Sequence, residues 1–342
     1  MMKVPMSLVP FLHRVASGES LAAGEAHEAM NVLLEGNASE AAIAGFLVAL
    51  RMKGETASEL AGFARAMREK AVFIDAGADV IDIVGTGGDG AGTFNISTVA
   101  AIVMAGAGAH VAKHGNRAIS GRVGSADVFE ALGVRIAMTP EEAVHAVREI
   151  GLGFLFAPHL HPAMKYAQAV RRELKMRTVF NLLGPLANPA RAQMQVIGAP
   201  SPEAAKIMAE ALSELGTRHS YVVHGHDGLD EISTTTSTDV YEVWNGRVEK
   251  HVWAPEDFGV PRTTRERLAG GSPADNARIT RAILDGERGA RRDIVLVNAA
   301  GGLMAGGLAK EPREGVAKAA ESIDSGSARG VLEKLQNKFP VF

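Results

Sequence analysis

Cysteine is absent from all 342 residues. That excludes a disulfide scaffold, a cysteine nucleophile, an iron–sulfur cluster and any thiolate zinc site. A basic excess is lacking too. Lys and Arg number 36 against 39 Asp and Glu, a net charge of −3, so nothing draws the whole chain onto nucleic acid or anionic lipid. Aromatics are scarce at 5%, too few for a surface that stacks single-stranded bases. Long hydrophobic runs are missing. The longest charge-free stretch, Gly90 to Ala112, opens with the polar GAGTFNIST, and its apolar part is too short to span a bilayer. The start, MMKVPMSLVPFLHRVASG, has prolines in its apolar stretch and no small-x-small cleavage site, unlike a signal peptide. These absences point to a cytoplasmic protein with no nucleic-acid or membrane partner.

What is present is an ordinary globular balance, 46% hydrophobic and 22% charged, long enough to bury a sizeable core. Glycine is abundant, 38 residues, with no collagen period. The glycines fall in short clusters, where backbone can approach a ligand closely.

Residues 1–72 read as a small helical unit. Ser20, Asn37 and Thr56 stand where N-caps would, and Gly36 and Gly54 where helices end. The pattern then changes to alternating strands and helices. Val80–Val84, His110–Ala112, Phe154–Ala157, Met194–Ala199, Tyr221–His224 and Ile294–Val297 are the expected strands. Helices are expected at Thr98–Ala109 and Ala126–Leu132, and after Thr139-Pro140 and Ser201-Pro202. DVYEVWNGRVEKHVW reads as an antiparallel hairpin turning at Asn245-Gly246. The fold class is therefore α/β: a small N-terminal helical domain and a larger domain, 73–342, with a mainly parallel central sheet covered by helices. A helical, proline-punctuated stretch, about 162–190, is long for a simple crossover. It is expected to leave the sheet and pack on the N-terminal helices.

Three segments carry chemistry. The first is GTGGDGAGTFNIST, 85–98, between a strand and a helix. Glycines there turn backbone N–H groups toward an anion, and the helix N-terminus adds positive potential. The match to G-x-G-x-x-G is not a dinucleotide fingerprint: the helix begins after the glycines, and the next strand ends in Lys113-His114 rather than an acid. No Gly-Lys-Ser/Thr follows, which excludes a Walker A loop. Asp89 suits a ribose hydroxyl or a metal beside a phosphate. The second segment, KHGNRA at 113–118 with GSAD at 124–127, lies at the next strand end, where Lys113 and Arg117 offer anion contacts. The third is Asp230-Glu231 in a glycine-containing loop. Adjacent acids on a loop are ordinarily just solvated, but two carboxylates after a strand suit Mg²⁺. The pairs His159-x-His161 and His224-x-His226 lack the ligands that would complete a zinc site. Arg171-Arg172 is either a solvated helix face or the source of one guanidinium that holds a carboxylate.

Together GTGGDGAGTFNIST, KHGNRAISGRVGSADVFEALG, HPAMKYAQAVRRELKMRTVFNLLGPLANPA and the DEIS of 230–233 resemble the anthranilate phosphoribosyltransferase family. The resemblance implies a nucleoside phosphorylase II-like fold, a hinge, and a homodimer formed through the helical unit. It implies Mg²⁺-dependent transfer of phosphoribosyl from phosphoribosyl pyrophosphate (PRPP) to the amine of anthranilate, in tryptophan biosynthesis. It assigns Gly85, Gly87, Gly88, Asp89, Thr93, Asn95, Ser97, Thr98, Lys113 and Ser125 to PRPP. Ser97, Asp230 and Glu231 are assigned to Mg²⁺ with the pyrophosphate. Gly85, His114, Asn116, His161, Tyr166, Arg171 and Gly184 are assigned to anthranilate, with Arg171 gripping its carboxylate. No side chain is expected to act as nucleophile or base. Gly121 stands where many family members carry a second serine. Two alternatives remain open at this point: a pyrimidine nucleoside phosphorylase on the same fold, and a non-enzymatic nucleic-acid binder.

Overall fold

The computed structural model describes residues 7–341 except 78, 89 and 119–122. Asp89 and Gly121 therefore lie outside the described residues. The chain opens with four helices, α1 (Val9–Ala16), α2 (Ala23–Leu34), α3 (Glu40–Lys53) and α4 (Ala57–Lys70). Thr56 caps α4 as expected, in a capping box closed by Glu59. The other two starts differ from the expectation. Ser39, not Asn37, caps α3. The N-terminus of α2 lies at Ala22, whose N–H is satisfied by Glu25 rather than by Ser20.

The sheet begins at β1 (Val80–Gly85) and continues through α5 (Ile96–Gly106), β2 (His110–Gly115), α6 (Ser125–Ala131), α7 (Pro140–His145) and β3 (Leu152–Phe156). Then α8 (Ala157–Leu160), α9 (Lys165–Leu174) and α10 (Phe180–Leu186) precede β4 (Met194–Gly198), α11 (Pro202–Glu214), β5 (His219–Gly225), β6 (Thr238–Trp244) and β7 (Arg247–Trp253). The chain closes with α12 (Pro273–Leu284), α13 (Ala290–Ala305), α14 (Pro312–Asp324) and α15 (Ser327–Lys338). The seven strands run β3-β2-β1-β4-β5-β6-β7. The first five are parallel, and β6 and β7 close the sheet antiparallel. Asn245 and Gly246 both have positive φ, 49° and 77°, as a type I′ turn demands.

One expected strand is wrong. Ile294–Val297 lies inside α13. The run IVLV is β-branched, but it belongs to a sixteen-residue helix with nearly every residue buried, and a helix buried all round loses its amphipathic signature. The strand expected at His110–Ala112 runs on to Gly115, which puts Lys113 and His114 on β2 itself.

Two apolar clusters flank the sheet. On one face α5 and α12–α15 cover Ile81, Val111, Val196 and Val223. On the other, Ile197, Val222 and Val243 join α11, the N-terminal helices, and Ala167, Val170, Phe180 and Leu183 from α9 and α10. The 162–190 segment thus leaves the strand order and packs on the N-terminal helices. Its two ends meet the chain that links α4 to β1: Val72 N–H donates to Leu160 O at 2.8 Å and Ile74 N–H to Pro189 O at 3.2 Å.

Candidate functional site

The site forms where β1, β2 and β4 end. Gly85 closes β1 and pairs in register with Gly198 of β4. The loop after β5 packs directly on both, and at Gly198 it leaves room for glycine alone. A Cβ on Gly198 would lie 1.6 Å from the Asp230 carbonyl oxygen, and one on Gly85 2.4 Å from Asp230 Oδ2. So seated, Asp230 Oδ2 accepts from Gly87 N–H at 2.7 Å. Its neighbour Glu231 accepts from Ser97 N–H through Oε1 at 3.1 Å, an acid at the N-terminus of α5 where the helix dipole favours one. Asn298 of α13 fixes the loop just beyond, bonding Ile232 at both N–H and carbonyl, each at 2.9 Å.

The acidic doublet and the glycine-rich turn therefore meet, and β2 brings the third segment to them. Lys113 is fully buried; its Nζ donates to Ile83 O at 2.6 Å and to Ser97 Oγ at 3.3 Å. Burial lowers its pKa, opposed by the charges of Asp82 and Glu231. Asp82, buried on β1, is pushed up to about 6 by desolvation against the pull of Lys113. It accepts from His114 N–H at 3.1 Å and from Asn188 Nδ2 at 2.7 Å. The two turns are also joined directly: Asn95 Nδ2 donates to Val123 O at 3.1 Å. Asn276 of α12 holds Asn95 in turn at 2.9 Å, and Thr93 bridges to Ala269. Gly87, Gly88, Gly90 and Gly92 all have positive φ, the left-handed backbone that glycine allows without strain. Thr98 is buried at the start of α5, and its Oγ1 has no partner among the described residues.

Beside this turn β2 meets the 157–190 segment. His114 Nδ1 donates to Gly184 O at 3.1 Å, which leaves Nε2 as the acceptor, buried and without a partner among the described residues. His161 lies beside it, ring centroids 5.1 Å apart, and among the described residues its Nε2 also has no partner. A Cβ on Gly184, whose carbonyl His114 holds, would meet nothing within 4 Å among the described residues. Arg171 on α9 is partly buried, its guanidinium 5.2 Å from the Phe180 ring centroid. Burial alone depresses its pKa, with no carboxylate countering.

Ser125 Oγ faces Asn116 O at 3.4 Å at the mouth of the β2 turn. Two residues do not gather with the rest. Arg117, expected as an anion contact, pairs instead with Asp127 and Glu130 at 2.9 and 2.6 Å, because α6 places both acids beside it. Tyr166 is exposed and its ring lies over Gly36, at the end of α2. Of the histidine pairs, His224 Nδ1 bonds Ala199 O and His226 bonds Asp239. Sequence reading missed Gly198, Asp82, Asn188 and Asn276. A lone glycine or amide carries no signal until the fold brings its partner.

Burial holds His114 down to about 3 and His161 to about 4, from 6.5. Their folded pKa values lie below the unfolded ones, so the unfolded chain takes up protons first as pH drops below 6.5, and stability falls. Asp82, raised, works the other way: the folded state binds its proton more readily, so stability falls as pH rises through about 4 to 6. His161→Asn should therefore flatten the acid-side fall in stability, by up to about 1.4 kcal/mol per pH unit. Calorimetric unfolding of both proteins between pH 4 and 7 measures it; parallel curves would show that His161 titrates normally.

Can these residues hold a metal? Among the described residues no cluster of three or more His, Asp or Glu stands ready to bind one alone. Asp230, Glu231 and the Ser97 hydroxyl are hard oxygen donors that meet where the loop after β5 reaches the N-terminus of α5. That suits a Mg²⁺ ion, which takes one or two carboxylates and completes its shell with phosphate and water.

Comparison with known proteins agrees in extent. The family description "Glycosyl transferase family, helical bundle domain" matches residues 9–71, and "Glycosyl transferase family, a/b domain" matches 77–329. The anthranilate phosphoribosyltransferase of Solibacter usitatus is 55% identical over 333 residues, 96% of this chain and 98% of its own. That of Symbiobacterium thermophilum is 51% identical, over 95% of this chain and 96% of its own. Among solved structures, the anthranilate phosphoribosyltransferase of Thermus thermophilus superposes with TM-score 0.90 at 46% identity, covering 95% of this chain and 98% of that one. The Saccharomyces cerevisiae enzyme, in complex with PRPP and Mg, gives 0.87 at 30% identity over 96% and 97%.

Proposed function

Since the chain belongs to the anthranilate phosphoribosyltransferase family, we propose that the convergence at the ends of β1, β2 and β4 is where it joins PRPP to anthranilate. The protein is a Mg²⁺-dependent glycosyltransferase of tryptophan biosynthesis. It transfers the phosphoribosyl group to the amine of anthranilate and releases pyrophosphate. The observation that carries the site assignment is the pair of backbone bonds from Gly87 and Ser97 to Asp230 and Glu231.

On this reading Gly85, Gly87, Gly88, Asp89, Thr93, Asn95, Ser97, Thr98, Lys113 and Ser125 bind PRPP. Glycine-rich backbone and the N-terminus of α5 offer N–H donors to its phosphates. Buried Lys113 supplies positive charge, held in place by Ile83 O and Ser97. Ser97, Asp230 and Glu231 would hold the Mg²⁺, which when bound neutralises charge on the departing pyrophosphate. Anthranilate occupies the space beside Gly184, between His114, Asn116 and His161, with its carboxylate on Arg171. Tyr166, exposed beside Gly36, would stand at the outer end of its path.

No general base is needed. At neutral pH His114 and His161 are uncharged, and with pKa values about 3 and 4 both are feeble bases. They can accept a hydrogen bond through Nε2 and so orient the amine. An aromatic amine is already unprotonated and sheds its proton readily once it attacks C1 of the ribose. Catalysis then comes from positioning and from leaving-group stabilisation.

The helical unit, 1–72 with the 162–190 segment, is proposed to hinge against the α/β domain, 73–342. Homodimerisation through that unit is supported by apolar side chains left exposed there, Val9 on α1 and Met52 on α3. A cytoplasmic setting fits the pathway; no helix among the described residues is long and apolar enough to cross a membrane. Mixing protein, PRPP, Mg²⁺ and anthranilate should quench anthranilate fluorescence as pyrophosphate appears. Unchanged fluorescence, with phosphorolysis of thymidine or uridine instead, would overturn the assignment.

A further inference from the structure

Arg177 has no part in the roles above, yet it crosses from one half of the site to the other. It follows α9 after Lys175, a non-glycine residue in left-handed backbone at φ 46°. That reversal carries the chain off the helix and back toward the sheet. Directly behind it, buried Thr178 donates its N–H to Asn181 Oδ1 at 3.0 Å, which anchors the turn to the start of α10. From this base the partly buried Arg177 donates through Nη2 to the carbonyl of Gly88, inside the glycine-rich turn. Among the described residues Arg177 forms no ion pair. Its charge therefore stands beside the turn without a described carboxylate to pair with it, and one of its five N–H donors is committed to Gly88.

The turn itself needs support. Gly87 and Gly88 are consecutive and both left-handed, and glycine loses more conformational freedom on ordering than any other residue. On the Gly87 side Asp230 takes the N–H. On the Gly88 side the described partner is Arg177. Holding a carbonyl fixes its whole peptide plane, so the two contacts fix the turn at consecutive residues.

We propose that Arg177 is a positioning residue for the phosphoribosyl donor, pinning the Gly87–Gly88 turn in the shape that receives the pyrophosphate and placing a guanidinium beside it. The proposal rests on the PRPP reading of the turn. It also ties the donor to the acceptor, because Arg177 belongs to the same stretch of chain as Arg171 and Gly184. Ordering the turn before PRPP arrives lowers the entropic cost of binding it.

Arg177→Ala tests this in two ways. Without substrate, amide hydrogen exchange in the 85–92 peptide should speed up against wild type while exchange in the α1–α4 peptides stays the same. In turnover, the KM for PRPP should rise by about tenfold, with the KM for anthranilate unmoved, and Arg177→Lys, which keeps charge but loses the fork, should fall between. Wild-type exchange in the turn, an unchanged PRPP KM, or equal rises in both KM values would each overturn the proposal. Wild-type protein that fails to consume anthranilate would instead overturn the functional reading, and the exchange result stands apart from that.

Discussion

Gly198→Ala should remove nearly all phosphoribosyl transfer from a chain that still folds. The new Cβ would stand 1.6 Å from the Asp230 carbonyl oxygen and 2.4 Å from its carbonyl carbon. Both are backbone atoms, so no side-chain rotation relieves the clash. Either β4 or the Asp230 loop must move by more than an ångström, and Asn298 opposes the loop's movement by holding Ile232. Displacing a catalytic group that far costs about 100-fold or more in rate, while overpacking at one site costs about 1–3 kcal/mol of stability. Gly85→Ala makes the instructive comparison. Its Cβ meets chiefly the Asp230 carboxylate, at 2.4 Å, a side chain that can turn away. Its loss of kcat/KM should be smaller, with a weaker dependence on Mg²⁺. Circular dichroism checks the fold and steady-state kinetics the ranking; a fully active Gly198→Ala would mean that the loop does not need this seat.

Arg171→Ala should raise the KM for anthranilate by about 10- to 100-fold, the worth of a charge-assisted hydrogen bond pair. The KM for PRPP should hardly move, because the described contacts of Arg171 lie on α10, at Phe180, and not on the glycine-rich turn. Arg171→Lys should rescue poorly, since an ammonium cannot make the planar, two-pronged contact. Initial rates with each substrate varied in turn separate the two constants. An unchanged anthranilate KM would remove Arg171 from the acceptor space.

Much of this is legible without any coordinates. Alternating β-branched runs and capped helices read correctly as a mainly parallel sheet, because in this chain turn chemistry and hydrophobic pattern agree. Asn245-Gly246 is the plainest instance: the turn type demands two positive φ values, and the residues supply them. Where pattern and context disagree, the pattern misleads. Ile294–Val297 has strand-like residues, but its burial within a long helix erases the periodicity that would reveal it. Helix starts slip where the satisfying group is an acid a turn later, as Glu25 is for Ala22. At the site, glycine clusters and the acidic pair announce themselves by composition. Arg117 misleads because its two acidic neighbours come from α6, ten and thirteen residues on. Gly198, Asn188 and Arg177 give no warning, since each matters only through a contact with residues far away in sequence.

PRPP binding measured by calorimetry across a Mg²⁺ series, in wild type and in Asp230→Asn/Glu231→Gln, asks most directly whether the acidic doublet and the glycine-rich turn form one site. Both substitutions keep shape and a carbonyl oxygen to accept from Gly87 and Ser97, while the charge and one acceptor oxygen of each carboxylate are lost. Wild type should bind PRPP more tightly as Mg²⁺ rises, and the variant should lose that dependence together with turnover. A variant whose PRPP affinity still climbs with Mg²⁺ as in wild type would contradict the convergence.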